Sequence, residues 1–598
     1  MRQACLYPAK AVREVLNGVL RDSGGNILPI AAIGMLVAAV VVGSAVDLSR
    51  DYLVREQIQS ACDAAVLAGR RTVTTAGFDT ASKAAATAYF NTNFNDAQQG
   101  TRSTVFTVTS TDDGQTVTAT ATTVLDTLLM RIFGKDSFDI RVNCGSSMGV
   151  GNADVMMVLD TTGSMDYTLS GSQTRIQALR AAMKNFYTTI YNATANSNAR
   201  VRYGFVPFSS TVNVGRLLTA VNSSYIVDSY PYQSRAYEPD DSGGSDYSGT
   251  WTAVIPTTSY SSQNDCNNAK PADTAFSEQG SGQARSQVKK EYSCIRSDRN
   301  SPYYVYWRWL TRPYTMRYHQ VTYDTSSFKK FNSVATPTGT NGANVSSTWG
   351  GCIQERDTVA QATFSYSTST GISPKAALDL DLDTAPTSDD KTKWRPLWPE
   401  VSYRRWSDSG YYTTATTNNG GDAGTYCPAQ AKLLATMTQS AFNSYADSLV
   451  AIGGTYLDVG MIWGGRLMSQ QGMWSTLNSD EPSNGGKVSR HVIFMTDGQM
   501  EPNQYIAQAW GIEYWDRRVT TDGTTNDTAR HTQRFLATCE AIKAKGIRVW
   551  VVAFTSSLSS DLTTCASDDS SYTANSSSEL NTAFQEIAKQ VGELRVVQ

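Results

Sequence analysis

The stretch Asp154-Val155-Met156-Met157-Val158-Leu159-Asp160-Thr161-Thr162-Gly163-Ser164-Met165 decides how this chain is read. A short apolar run ends in a carboxylate, and hydroxyl side chains follow at every second residue. An unbroken apolar run of this length is the pattern of a strand buried on both faces of a parallel sheet. The spacing after it lets one loop aim Asp160, Thr162 and Ser164 at a single point. Oxygen donors gathered at one point suit a hard divalent cation.

The flanking sequence alternates between helical and strand patterns. Residues 175–191 place Ile176, Leu179, Ala182, Met183, Phe186 and Ile190 on one helical face. Residues 201–208 (VRYGFVPF) read as a second buried strand. Regular patterning returns at Pro428, with helices expected at 429–450 and 459–468 and a strand at 490–495 (RHVIFM) leading into Thr496-Asp497-Gly498. A helix at 527–545 stops at Gly546, a strand follows at 547–554, and an amphipathic helix closes the chain at 578–591. This alternation predicts an α/β domain built on a doubly wound, mostly parallel sheet, in two parts, 151–225 and 428–598.

Such sheets bind ligands at the carboxyl ends of their strands, near the point where strand order reverses. Two further loops can meet Asp160, Thr162 and Ser164 there. One carries Thr455, within Gly453-Gly454-Thr455, and the other carries Asp497. Two carboxylates only balance one divalent ion, so a bound ion keeps an open vertex suited to a carboxylate from another protein. Mg²⁺ is expected, because it accepts few protein ligands plus waters, with Mn²⁺ or Ca²⁺ as alternatives. Each piece also has a plain structural explanation. Asp160-Thr161-Thr162-Gly163 makes a polar turn, Asp497-Gly498 is a common turn dipeptide, and Thr455 with Asp458 fits a helix N-cap. Their coincidence within one α/β pattern favours the metal site.

Between the two halves, residues 226–427 are rich in Ser, Thr, Tyr, Asp and Gly, with short apolar runs and frequent aromatics. They read as one large β-rich insertion, stapled by disulfides. Asp379, Asp381, Asp383 and Asp390 within it mimic a calcium-loop spacing. However, Thr384 stands where the loop needs glycine and Pro386 interrupts it, so a solvated acidic loop is expected.

At the other end, residues 27–46 are twenty positions without a charge, long enough to span a bilayer as a helix. Arg2, Lys10, Arg13 and Arg21 precede them. A single-pass inner-membrane protein is expected, with residues 1–26 in the cytoplasm and the C-terminal bulk in the periplasm or exposed on the envelope. Gly43-Ser44-Ala45 offers the competing reading of a cleaved signal peptide. A pilin-type processing site is not supported, since Ile30 stands five residues after Gly25. Residues 47–150 read as a stalk helix continuing from the membrane, then a small α+β region. Its helix covers 80–90 and its strands 104–110, 115–123 and 138–142, with a hairpin turn at Asp112-Asp113-Gly114.

Eight of the nine cysteines lie beyond the apolar segment, an even number that fits disulfides in an oxidising compartment. Nearest-neighbour pairing gives Cys62–Cys144, Cys266–Cys294, Cys352–Cys427 and Cys539–Cys565, one of about 105 connectivities; buried free thiols are the alternative. Cys5 would remain reduced. The net charge of −3 gives no electrostatic reason to expect nucleic acid. Only His319, His491 and His531 occur and no C-x-x-C spacing exists, which argues against zinc. No H-E-x-x-H, G-x-S-x-G or phosphate-binding loop appears, so an enzyme is not expected.

Asp160-Thr161-Thr162-Gly163-Ser164 resembles the D-x-S/T-x-S metal-ion-dependent adhesion site (MIDAS) of the von Willebrand factor type A domain. Thr455 and Asp497 fall where that family places its second- and third-loop ligands, and the resemblance implies that Asp497 reaches the metal through water. The insertion departs from the family. The arrangement of the whole chain is similar to TadG-type proteins of tight-adherence (Flp) pilus assembly, carried by DSGGNILPIAAIGMLVAAVVVGSAVDLSR (22–50), by Gly453-Gly454-Thr455 through Leu467, and by Cys565 through Arg595. That resemblance implies an envelope protein that binds pilus or pilus-assembly components through the metal. A surface adhesin, whose insertion contacts a host or matrix ligand, is the alternative. A hydrolase within the insertion is the third and weakest reading.

Overall fold

The computed structural model describes residues 27–73, 78–111, 116–147, 152–194, 199–241, 246–254, 258–484, 487–525, 527–554, 557–591 and 595–597. The expected turn at Asp112-Asp113-Gly114, Cys5, Gly25 and the basic residues of 1–26 lie outside them. The chain divides into two compact units, residues 1–150 with 592–598, and residues 151–591.

The first unit is built on one helix, α1 (Leu28–Arg71), of 44 residues. Pro29 sits in its first turn, where no backbone N–H is needed for the helical ladder. The helix is long and apolar enough to cross a membrane, and its apolar first half is almost wholly exposed. Gly43 and Asp47 are buried, and further along so are Val54, Ile58, Ala61, Cys62, Ala65 and Val66. The latter group meets α2 (Thr80–Asn93), whose N-cap Asp79 accepts from the Ser82 N–H at 2.9 Å. Both helices cover an antiparallel sheet of β1 (Thr101–Thr109), β2 (Thr116–Asp126) and β3 (Ser137–Ser147). Along β2 every second residue is buried, as a one-sided sheet requires. Cys62–Cys144 joins α1 to β3. Arg595–Val597 adds a fourth strand beside β3, which the sequence did not predict.

The second unit enters through β4 (Asn152–Asp160), α3 (Arg175–Thr194) and β5 (Val201–Phe208). Three long strands follow: β6 (Ser229–Pro239), β7 (Ser286–Ile295) and β8 (Tyr304–Asp324). The chain then runs through β9 (Lys432–Ala435), α4 (Gln439–Asp447), α5 (Leu457–Met468), β10 (Val488–Thr496), α6 (Asp527–Ala544), β11 (Arg548–Ala553), β12 (Ser571–Thr573) and α7 (Ser577–Val591). Six of these strands form a mixed sheet in the order β9-β5-β4-β10-β11-β12. All neighbours are parallel except the β9 edge. In chain order this is 3-2-1-4-5-6, the doubly wound arrangement, and strand order reverses at β4.

Every residue of β4 is buried, because helices cover both faces. One face carries α3, α4 and α7, with Phe186, Phe442 and Phe584 in its core. The other carries α5 and α6, and here the residues between β5 and β9 enter the same core. Trp349, Trp394, Trp398 and Leu380 pack in one continuous cluster with Trp463, Ile462 and Phe535. The intervening residues are therefore part of this domain's core. Within them, β8 pairs with β6 over eleven positions and with β7 over ten; residues 325–427 contribute only short bridges and single turns.

The expected helix at 429–450 is a correction. Residues 432–435 form the antiparallel edge strand β9, and the helix begins only at Gln439, capped by Thr438. The Lys432-Leu433-Leu434-Ala435 run satisfies either periodicity, and pairing with β5 decides. The short polar strand β12 also carried no recognisable signal.

All eight outer cysteines pair as nearest neighbours: Cys62–Cys144, Cys266–Cys294, Cys352–Cys427 and Cys539–Cys565. The last closes a loop of 26 residues between α6 and the helix Ser560–Cys565. Replacing both Cys539 and Cys565 by Ala is expected to lower stability by about 3 kcal/mol, read by urea denaturation.

Candidate functional site

The site is assembled at the carboxyl ends of β4 and β10, two adjacent parallel strands. Asp160 closes β4 and is completely buried. Its Oδ1 accepts from the Thr162 N–H at 2.9 Å. Its Oδ2 accepts from the Thr496 hydroxyl at 2.8 Å and from the Asp497 N–H at 3.4 Å. Thr162 Oγ1 and Ser164 Oγ lie 3.0 Å apart. Asp497, at the end of β10, therefore sits against Asp160, and the structure brings Asp160, Thr162, Ser164 and Asp497 together.

Thr455 lies in the adjoining loop. The Gly163 N–H donates to the Gly453 carbonyl at 2.9 Å and the Ile452 N–H to the Thr161 carbonyl at 2.7 Å, so the two loops are zipped. Gly453 has φ +84°, and a Cβ there would stand 2.9 Å from Tyr426 and 3.1 Å from Ser209 Oγ; only glycine permits this approach. Thr455 is nearly buried and its carbonyl accepts from the Glu501 N–H. It is not the helix cap: Tyr456 holds that position without a side-chain bond, and Asp458 turns to His531. Gly163 is exposed and Ser164 half-buried, so the outer edge of the first loop faces solvent and the large insertion does not cover it.

Burial and the neighbouring Asp497 charge push the Asp160 carboxyl up to about 7. Two carboxylates thus share a dry corner, a combination that favours protonation or a cation. Arg175, in the first turn of α3, supplies part of the compensation. Its Nη1 donates to Asp497 Oδ2 at 2.7 Å and to the Ser164 carbonyl at 3.3 Å. Sequence reasoning missed Arg175 and Thr496, which reach the site from other elements. It also missed Ser209, whose Oγ is buried without a hydrogen-bond partner beside Gly453. The donor set fits a hard divalent ion: it is all oxygen, carries two carboxylates and opens on one side. Among the described residues no group of three or more His, Cys, Asp or Glu side chains could hold a metal, so hydroxyls must complete any shell here.

Other singled-out residues have structural roles. Asp379 pairs with buried Arg534, Asp383 with Lys545 and Asp390 with Lys393, so the calcium-like spacing does not converge. His491 is buried and accepts from Trp550 Nε1 at 3.2 Å. His531 is buried between Asp458 at 2.6 Å and Asp527 at 3.4 Å. Burial alone would lower its pKa, but the two carboxylates outweigh it and push the imidazole up to about 9. The folded pKa is thus above the unfolded one. The stabilisation, about 3 kcal/mol, is fully present below pH 6.5 and is lost as pH rises through 9. Thermal melts from pH 6 to 10 should show this decline, and His531→Gln should flatten it.

Comparison with known proteins bears mainly on the first unit. Residues 25–88 match the Tad family model, described as Flp pilus-assembly TadE/G-like. No curated protein matches the chain. Among solved structures, the pilus adhesin SpaC from Lactobacillus rhamnosus GG aligns at 13% identity over 82% of this chain, with a TM-score of 0.27. The chain spans about a third (34%) of that structure's length.

Proposed function

We propose that this is a membrane-anchored cell-envelope protein of Flp pilus assembly, carrying a von Willebrand type A-like domain that grips a partner protein through a divalent metal. The match over residues 25–88 supports the Flp pilus setting and a non-enzymatic, assembly-related role. The apolar helix fits a single-pass anchor. In this reading the N-terminus is cytoplasmic and the bulk of the chain lies outside the inner membrane. The partner is a pilus or pilus-assembly component offering an acidic group.

The carrying observation is the meeting of Asp160 and Asp497 at the switch point of the sheet, beside the Thr162 and Ser164 hydroxyls. Asp160, Thr162, Ser164, Thr455 and Asp497 would hold the ion, Mg²⁺ first, with Mn²⁺ or Ca²⁺ as alternatives. A bound ion would supply an electrophilic vertex for the partner's carboxylate. The chain does the rest. The Thr496 hydroxyl and the Thr162 N–H fix both oxygens of Asp160, so the carboxylate cannot swing away. The Gly163–Gly453 bond holds the Thr455 loop in place. Arg175 neutralises Asp497 and competes for it.

Calorimetric titration with Mn²⁺ should give a single site per chain at pH 8. A proton on Asp160 blocks the site, so affinity should be flat above pH 7 and fall about tenfold per unit below it. An affinity that ignores pH between 5 and 8 would remove Asp160 from the site.

A second reading, a surface adhesin, draws on the insertion. Trp309, Tyr247 and Tyr411 are exposed there, and Lys290 stands 5.4 Å over the Trp309 ring. Binding of matrix or host glycans that survives a chelator would favour it.

A further inference from the structure

The connection between β2 and β3 is a short turn around Met130–Phe133 that exposes Leu128, Leu129, Ile132 and Phe133 by 52, 39, 72 and 48%. Four large apolar side chains on one exposed turn are unusual for a surface in water. The turn is held in place. Asp47, buried in α1, accepts from the N–H groups of Leu128 (2.9 Å), Leu129 (2.9 Å) and Met130 (2.7 Å). The Thr127 N–H donates to the Asp136 carbonyl, closing the base.

Its height along α1 is fixed by Leu129. A Cβ built on Gly43 would lie 3.1 Å from Leu129 Cβ, so the glycine makes room for that side chain. Gly43 lies inside the uncharged segment 27–46, about 4–5 Å short of its end at Val46. The exposed apolar side chains of the turn thus stand beside exposed Val42 and Val46 of the helix, which lie to one side of Gly43 on the helical wheel. Arg131 and Lys135 flank the apolar side chains and are exposed, where they can reach lipid phosphates.

We propose that the Leu128–Leu129–Ile132–Phe133 turn is a second membrane contact, dipping into the interfacial layer of the leaflet that α1 leaves at Asp47. This rests on the reading of α1 as membrane-spanning. Its consequence is orientational: two contacts fix the tilt and rotation of the first unit against the bilayer, where a lone helix would let it swivel.

Spin labels in the full-length chain test it. Cys5→Ser removes the cysteine outside the four disulfides, and single Ile132→Cys, Val37→Cys and Thr107→Cys variants carry the label. The protein is reconstituted in vesicles of phosphatidylcholine and phosphatidylglycerol, with oxygen as the lipid-soluble relaxant and Ni(II)-EDDA as the aqueous one. Ile132 and Thr107 are exposed, so these changes leave the core intact. The expected result is several-fold preference for oxygen at positions 132 and 37, and for nickel at 107. Preference for nickel at 132 with oxygen at 37 would overturn the proposal alone. Nickel at both would overturn the membrane reading with it. Shielding of 132 from both relaxants would mean a protein covers the turn, and would also overturn it.

Discussion

Asp160→Ala is expected to abolish measurable divalent-cation binding, lowering affinity by more than about 100-fold, while the chain still folds. The affinity loss follows from position. Asp160 is the one fully buried carboxylate of the site, and three donors converge on it. The modest effect on folding follows from two opposing terms. Losing the carboxylate takes this acceptor from the Thr162 N–H and the Thr496 hydroxyl, at about 1–3 kcal/mol each, and from the Asp497 N–H, whose bond is long at 3.4 Å. It also removes a charge that burial and Asp497 already disfavour. The net change should be within about 2 kcal/mol. Calorimetry with Mn²⁺ and a melting curve check both halves. Unchanged affinity in a folded variant would end the metal proposal. Arg175→Gln should act in the opposite sense, strengthening binding by about threefold to tenfold as Asp497 loses its competing cation.

The largest loss of stability is expected from Glu355→Ala. Glu355 is fully buried. It accepts from Arg466 Nη1 at 2.8 and 3.0 Å, from Trp463 Nε1 at 2.6 Å and from Trp394 Nε1 at 3.1 Å. One carboxylate thus ties α5 to Trp394, far along the insertion. Its removal strands a buried guanidinium and two indole N–H groups, which should cost about 3–5 kcal/mol. That is a large fraction of a domain's total stability. Chemical denaturation should show the loss, and Glu355→Gln/Arg466→Met should recover much of it, since the pair is then replaced together. If Glu355→Ala were neutral, the insertion would be a separable appendage. Excising residues 226–427 behind a short linker should likewise leave no folded domain, because Trp349, Trp394 and Trp398 belong to the sheet's own core.

Several elements are legible in the sequence alone. The buried strands at Asn152–Asp160 and Arg548–Ala553 announce themselves through the apolar runs Val155–Leu159 and Val549–Ala553 within them, and Gly546 marks the end of α6 with φ +73°. The metal-like loop was legible for the same reason: Asp160, Thr162 and Ser164 are near neighbours in sequence, so their spacing alone brings them together. Arg175, Thr496 and Ser209 were not legible, since nothing local distinguishes them from surface polar residues. The edge strand Lys432–Ala435 was misread because four residues hold too little periodicity to outweigh a neighbouring helix pattern. Residues 226–427 read as a β-rich insertion because their composition is polar and their apolar runs are short. Nothing local sets Trp349, Trp394 and Trp398 apart from the other four of the insertion's seven tryptophans, so the sequence gives no hint that these three enter the sheet's core.

What the chain's order of residues determined by itself was everything set by short-range pattern: the uncharged apolar segment, the alternating strands and helices, and the carboxylate-hydroxyl loop. Short segments carry these because backbone periodicity and side-chain spacing act within a few residues. Only the tertiary structure decided that residues 226–427 share the sheet's core, that Asp497 lies against Asp160 under Arg175, and that an apolar turn stands beside the apolar half of α1. Each of these depends on side chains distant in sequence becoming neighbours, and packing, unlike periodicity, leaves no local trace.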